Sequence, residues 1–234
     1  MKFDVQRKSL IRGLATAQIT ASQEMYMPIL RAVQITGTEK GHVAVMSTDR
    51  YQLSATRLVL ANEDRAAEKR KAGHELLAGQ SGPAISLEWV KLALQFLRIP
   101  KALESDVVTV DVDAERVKLS TPFGAVELPR LSSEGANPYP QIEKLLTFKP
   151  WAEGVTMQPT FMLSPRFVDS IAKIGRLAGR HENIIFRTPQ KTGESLHYHV
   201  VTDADEPVVI THGLVAPIAR MGANGPTGMP GGMI

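Results

Sequence analysis

"MSTDRYQLSATRLVL", Met46 to Leu60, carries the chain through a reversal of direction. Before it, His42-Val43-Ala44-Val45-Met46 is apolar and β-prone. After it, Leu53, Ala55, Arg57 and Val59 alternate with Ser54, Thr56, Leu58 and Leu60, the period of two expected of a strand. The reversal falls on Thr48-Asp49-Arg50-Tyr51, which lacks the Asn-Gly or Asp-Gly of a tight hairpin. Bulky side chains at such a turn call for a reason beyond the turn itself.

Working outward, the same element order recurs three times: strand, amphipathic helix, then three strands. The first unit reads as a strand over Lys2 to Gln6 and a helix over Arg7 to Ala21. Strands follow near Pro28–Gly37, His42–Thr48 and Gln52–Ala61. In the second, Ala84-Ile85-Ser86 leads into a helix over Leu87–Ile99, with Ser86 as cap and Pro100 as stop. Alternating strands follow over Val107–Val112, Arg116–Thr121 and Gly124–Leu128. In the third, Thr160–Leu163 precedes a helix over Pro165–Ala178, capped by Ser164 with Pro165 at its first position. Strands near Asn183–Thr188, Ser195–Thr202 and Pro207–Ile218 close it. The units share element order, not sequence. The expected class is α+β, with antiparallel sheets and the helices on one face. Asn62 to Pro83 reads as an exposed charged loop. Gly135-Ala136-Asn137-Pro138-Tyr139-Pro140 punctuates the chain, and Gly222 to Ile234 reads as a disordered tail. The expected division is a domain over 1–145 made of two units, a smaller one over 146–221, and the tail over 222–234.

The 234 residues include no cysteine, which removes disulfides, thiolate metal sites and cysteine nucleophiles and favours a reducing, cytoplasmic setting. No apolar run approaches the roughly 18 residues of a membrane span, and Met1-Lys2-Phe3-Asp4 opens no signal-peptide core. No membrane partner is expected.

The charge is +3 overall, and its placement says more than its size. Residues 7–21 carry Arg7, Lys8 and Arg12. Residues 86–101 carry Lys91, Arg98 and Lys101 against Glu88. Residues 165–180 carry Arg166, Lys173, Arg176 and Arg180 against Asp169. The three helices together hold +8, which leaves −5 for the remainder. Lys and Arg on one surface helix are ordinary solvated side chains. Three basic helices over one sheet face form a layer suited to phosphate backbone, with no means of reading base sequence. The apolar stripe Phe167, Ile171, Ile174 and Ala178 faces the third helix inward.

Catalytic signatures are missing: no phosphate-binding loop, no dinucleotide fingerprint, no H-E-x-x-H and no G-x-S-x-G. His197 and His199 share a strand face, and such a pair is more often two strand residues than a metal site. Asp203, Asp205 and Glu206 sit beside Pro207, where acidic residues suit a turn. No cofactor and no enzymatic activity are expected.

The opening "MKFDVQRKSLIRGL", with "PILRAVQI", "TDRYQLSATRL" and "YPQIEKLL", resembles the bacterial and phage DNA polymerase sliding clamps. That family builds rings from β-α-β-β-β units, with basic helices around duplex DNA and sheets outside. Its hairpin pattern T-D-x-[HY]-R-L matches Thr48-Asp49-Arg50-Tyr51-Gln52-Leu53. Its F-P-[DN]-[YF]-x-x-[LV] matches Tyr139 to Leu145, and its closing [LV]-[LV]-M-P-[MV]-R matches Leu214-Val215-Ala216-Pro217-Ile218, with Arg220 one place late. Two departures stand out: Ala216 replaces Met, and Gln52 replaces Arg. Bacterial members have six units per chain, against three here.

The resemblance implies a processivity factor without chemistry of its own. Its partners would be double-stranded DNA, held non-specifically, and peptides of the polymerase and clamp loader, and it would form a homo-oligomer. The peptide pocket it implies is lined by Thr48, Tyr51, Gln52, Leu53, Pro140, Lys144, Leu145, Leu214, Ala216 and Pro217, which would explain the bulky hairpin turn. The DNA-facing residues would be Arg7, Lys8, Arg12, Lys91, Arg98, Arg166, Lys173, Arg176 and Arg180. A clamp-derived adaptor or decoy, binding replication proteins without a closed ring, is the alternative.

Overall fold

A computed structural model describes residues 2–37, 43–61, 84–99, 106–113, 115–131, 163–179, 183–187, 195–201 and 209–216. The first unit is β1 (Lys2–Gln6), α1 (Arg7–Thr20), β2 (Ala32–Gly37), β3 (Val43–Thr48) and β4 (Gln52–Arg57). The second is β5 (Ala84–Ser86), α2 (Leu87–Leu97), β6 (Val107–Val112), β7 (Arg116–Thr121) and β8 (Gly124–Pro129). The third is α3 (Pro165–Ala178), β9 (Asn183–Arg187), β10 (Leu196–Val201) and β11 (Val209–Val215). The class is α+β and the described strand pairs are antiparallel.

Two sheets result, ordered β1-β6-β7-β8 and β5-β2-β3-β4-β11-β10-β9. The units exchange strands: β1 pairs with β6 of the second unit, and β5 pairs with β2 of the first. One core therefore runs through both units. It joins Val5, Val108, Val110 and Leu119 of the smaller sheet to Val33, Ile35, Val45 and Ile85 of the larger, around Leu10 and Leu14 of α1 and Leu94 of α2. Gly13 lets α1 settle onto β3, because a Cβ there would lie 3.0 Å from Val45. The third unit joins through β11, which pairs with β4. Its inner face packs Tyr198, Val200 and Val215 under Phe167, Ile171 and Ile174 of α3. The stripe expected of this helix is the face it buries.

Several expected boundaries move. Residues 28–31 form turns, so β2 starts only at Ala32, and β4 ends at Arg57. There Ser9 Oγ on α1 accepts the Val59 amide at 2.9 Å and takes the chain out of the sheet. Ser86 and Ser164 stand at the helix starts, yet neither side chain caps an amide. Instead the Ser164 carbonyl accepts the amides of Phe167 and Val168. Of the strand expected over Thr160–Leu163 only Leu163 is described, and it lies in no strand. The loop at 62–83, the 145/146 domain boundary and the tail lie outside the described residues.

Candidate peptide site and nucleic-acid face

The β3–β4 register sets Thr48 opposite Leu53. Asp49 and Gln52 then flank a two-residue tip, Arg50-Tyr51, where Arg50 has φ +82°. A carboxylate, in place of glycine, holds this turn. One Asp49 Oδ accepts the amides of Tyr51 at 2.9 Å and Gln52 at 2.8 Å. The other accepts from Gln52 Nε2 at 3.1 Å and from the Arg166 guanidinium at 2.9 Å. Thr48 Oγ1 donates to the Gln52 carbonyl and accepts the Arg50 amide. The turn is an Asx-type device in which the side chain takes an amide that the backbone carbonyl would otherwise receive. It also ties the hairpin to the first turn of α3.

A buried hydroxyl cluster supports the hairpin from below. Thr20 Oγ1 on α1 contacts Ser54 Oγ at 2.7 Å and Ser47 Oγ at 2.5 Å, and Ser47 Oγ donates to the Ala17 carbonyl. Partnering these hydroxyls with each other and with the end of α1 meets the requirement that buried polar groups be bonded.

The terminal strand lies directly alongside. Leu214 pairs with Leu53 and Val215 with Gln52 across β11–β4, and the Ala216 amide donates to the Tyr51 carbonyl at 2.7 Å. Two segments expected to share a site, far apart in sequence, are thus neighbours. The third, with Pro140, Lys144 and Leu145, lies outside the described residues, as does Pro217. Burial corrects part of the lining. Thr48, Gln52 and Leu53 are buried, while Tyr51, Leu214 and Ala216 keep some exposure. The Gln52 side-chain amide turns inward, donating to Asp49 and, at 3.4 Å, to the Ile19 carbonyl at the end of α1. Leu53 closes a small cluster with Ala32, Ala44 and Met46, against which Leu214 packs.

The basic layer is also redistributed. Arg7 is 4% exposed, and its guanidinium donates to the Leu97 carbonyl in the last turn of α2. It serves as a cationic stop for that helix, where the dipole favours positive charge, and is removed from the surface layer. The cause is the position of α1, which lies on the larger sheet and contacts both α2 and α3. Of its three cations only Lys8 is exposed, and Arg12 is half-buried. Lys91 and Arg98 on α2, and Arg166, Lys173 and Arg176 on α3, are exposed. Lys173 pairs with Asp169 at 2.6 Å along the helix. Arg180 lies outside the described residues.

His197 and His199 have a companion that the sequence pattern did not flag. Pairing of His199 with His212 brings all three to one sheet face. His197 Nδ1 and His212 Nε2 lie 3.1 Å apart, and the His199 ring meets His212 edge-on at 4.3 Å. Among the described residues no group of three His, Cys, Asp or Glu side chains is arranged to hold a metal ion. No described helix is long and apolar enough to cross a membrane.

Among solved structures, a DNA polymerase sliding clamp from Pseudomonas aeruginosa superposes with a TM-score of 0.59 at 11% identity. The overlap covers 93% of this chain and 66% of that one. The chain has the sliding-clamp fold. The beta subunit of DNA polymerase III from Borrelia burgdorferi gives a TM-score of 0.53 at 7% identity, over 94% of this chain and 64% of that one. The chain thus spans just under two thirds of these clamps' length. No family model and no curated protein matches the sequence. The clamp fold is preserved where sequence likeness has almost vanished, as expected when alternation and helix stripes are kept and individual side chains are not.

Proposed function

We propose that the protein is a DNA sliding clamp, a non-enzymatic processivity factor that encircles duplex DNA and binds replication proteins through a hydrophobic peptide pocket. The observation that carries this reading is the junction of the β3–β4 hairpin with β11, where Leu53 faces Leu214 and Tyr51 holds Ala216. Tyr51, Leu214 and Ala216 would form the exposed floor of the pocket, with Pro140, Lys144, Leu145 and Pro217 completing its wall. Burying one bulky apolar side chain contributes roughly 1.5–3 kcal/mol, so a peptide with two supports micromolar affinity once association costs are subtracted. DNA would be held by Lys91 and Arg98 of α2 and by Lys173 and Arg176 of α3, with Lys8 beside them. Contacts of this kind carry no sequence information and let a ring slide. The protein would work in the cytoplasm as a homo-oligomer, with residues 146–221 forming the second domain of each subunit.

The test is a titration of a polymerase-derived peptide into wild type and Leu145→Asp, with circular dichroism to check folding. Wild type is expected to bind and the variant to lose binding while keeping its fold. Equal affinities would remove the pocket assignment. Peptide binding by a protein that never encircles DNA would make it an adaptor.

A further inference from the structure

Three of the chain's six histidines stand together on one face of the larger sheet. His197 and His199 alternate with Tyr198 and Val200, which pack under α3, so the two imidazoles leave the sheet on its other side. His212 stands beside them on β11, directly opposite His199. All three are half-buried. His197 Nδ1 and His212 Nε2 approach to 3.1 Å, and the His199 ring lies edge-on to His212 with centroids 4.3 Å apart. The positions paired with these residues hold Leu214 and Arg187 beside His197, Ile185 beside His199 and Ala55 beside His212. None of those four is a carboxylate, so the patch offers imidazole nitrogen without negative charge. At the roughly 2.0–2.1 Å of a metal–imidazole bond, nitrogens 3.1 Å apart subtend about 100° at a shared ion, between the square-planar and tetrahedral angles.

We propose that His197 and His212 form a binding site for a transition-metal cation of the zinc, copper or nickel class, with His199 as the neighbouring third donor. Water supplies the remaining positions, as at sites with fewer than four protein ligands. Imidazole suits these ions, whereas magnesium and calcium take oxygen donors that these three side chains do not present. Bound there, the ion ties β10 to β11 across the face opposite α3. Because the unfolded chain lacks a formed site, binding stabilises the fold. The site is independent of whether the protein encircles DNA or takes a peptide.

The experiment titrates zinc chloride into the chelator-treated, full-length protein by calorimetry, with magnesium chloride and calcium chloride in parallel. It compares wild type with His197→Gln, His212→Gln and the double variant. Wild type is expected to bind one zinc per chain, and each single variant to lose at least about tenfold in affinity. Zinc at a hundredfold excess over its dissociation constant should raise the wild-type Tm by about 5 °C and leave that of the double variant unmoved. In wild type carrying isotope-labelled histidine, zinc should shift the ring signals of two or three of the six histidines by NMR. That readout holds even where a variant fails to fold. Wild type that takes up no zinc at millimolar concentration, or that binds calcium equally well, overturns the proposal. So does zinc binding that the double variant keeps in full, which places the ion on other residues, and so does zinc that leaves every histidine ring signal in place.

Discussion

Asp49 and Asp113 do the same work in two different units. Each accepts the amides two and three residues on, and each receives a side chain of the residue three on, Gln52 or Arg116. Each also donates its own amide to that residue's carbonyl. This repeat escapes any scan for hydrophobic period, since it lies in D-x-x-Q and D-x-x-R, where composition shows only polar turn residues. The sequence placed the hairpin and singled out its bulky turn, but the role of Asp49 needed coordinates, because carboxylate-to-amide bonds leave no periodic trace. Asp49→Ala is expected to cost about 2 kcal/mol in a denaturant titration, as hydrogen bonds to a charged, mostly buried acceptor are lost from the turn. The Asp113 carboxyl is held down to about 2 by the Glu115 amide, the Arg116 guanidinium and the Arg116 amide. A folded value below the ordinary 3.8 stabilises the turn fully above about pH 4, and that contribution fades as the pH falls toward 2. Titration of this carboxyl by NMR should show a midpoint near the lower value, and a midpoint at 3.8 would remove the bonds described.

Elements were legible where their period was strong. The α3 stripe of Phe167, Ile171 and Ile174 buries as its spacing indicates, since a single face meets a single sheet. For α1 the charge count misled: a helix flanked by two others exposes only a narrow strip, and Arg7 ends up capping α2. Neighbouring helices are a tertiary fact that no local pattern contains. Two expectations belong at this scale. Gly213 lies under the Tyr198 ring so closely that a Cβ would overlap it. Gly213→Ala should therefore force β10 and β11 apart, costing roughly 1–3 kcal/mol in thermal or chemical unfolding. Reversing Lys173 and Arg176 to Glu should weaken duplex binding and flatten its dependence on salt, as read by fluorescence anisotropy. Unchanged binding and slope would reduce this face to ordinary solvated charge.

At the scale of the molecule, two sheet edges lack a covering chain among the described residues. The outer side of β1 meets residues 59–61, and β5 receives the Leu131 amide, whereas β8 and β9 end their sheets. Large apolar side chains stand exposed near both, Phe123 in the turn before β8 and Ile185 and Phe186 on β9. Unpaired edges of this kind are an aggregation hazard unless a partner covers them. Pairing β8 of one subunit with β9 of the next is a head-to-tail contact, which generates a ring when the rotation closes. The element order was readable from sequence, and so was the resemblance that raised the question of a ring. The strand exchange between units was not, because register and partner choice depend on contacts remote in the chain. The most direct measurement is the mass of the native particle over a dilution series, together with its image by electron microscopy. The account predicts one defined cyclic oligomer with a central opening wide enough for duplex DNA; a particle that remains a soluble monomer at every concentration would contradict it.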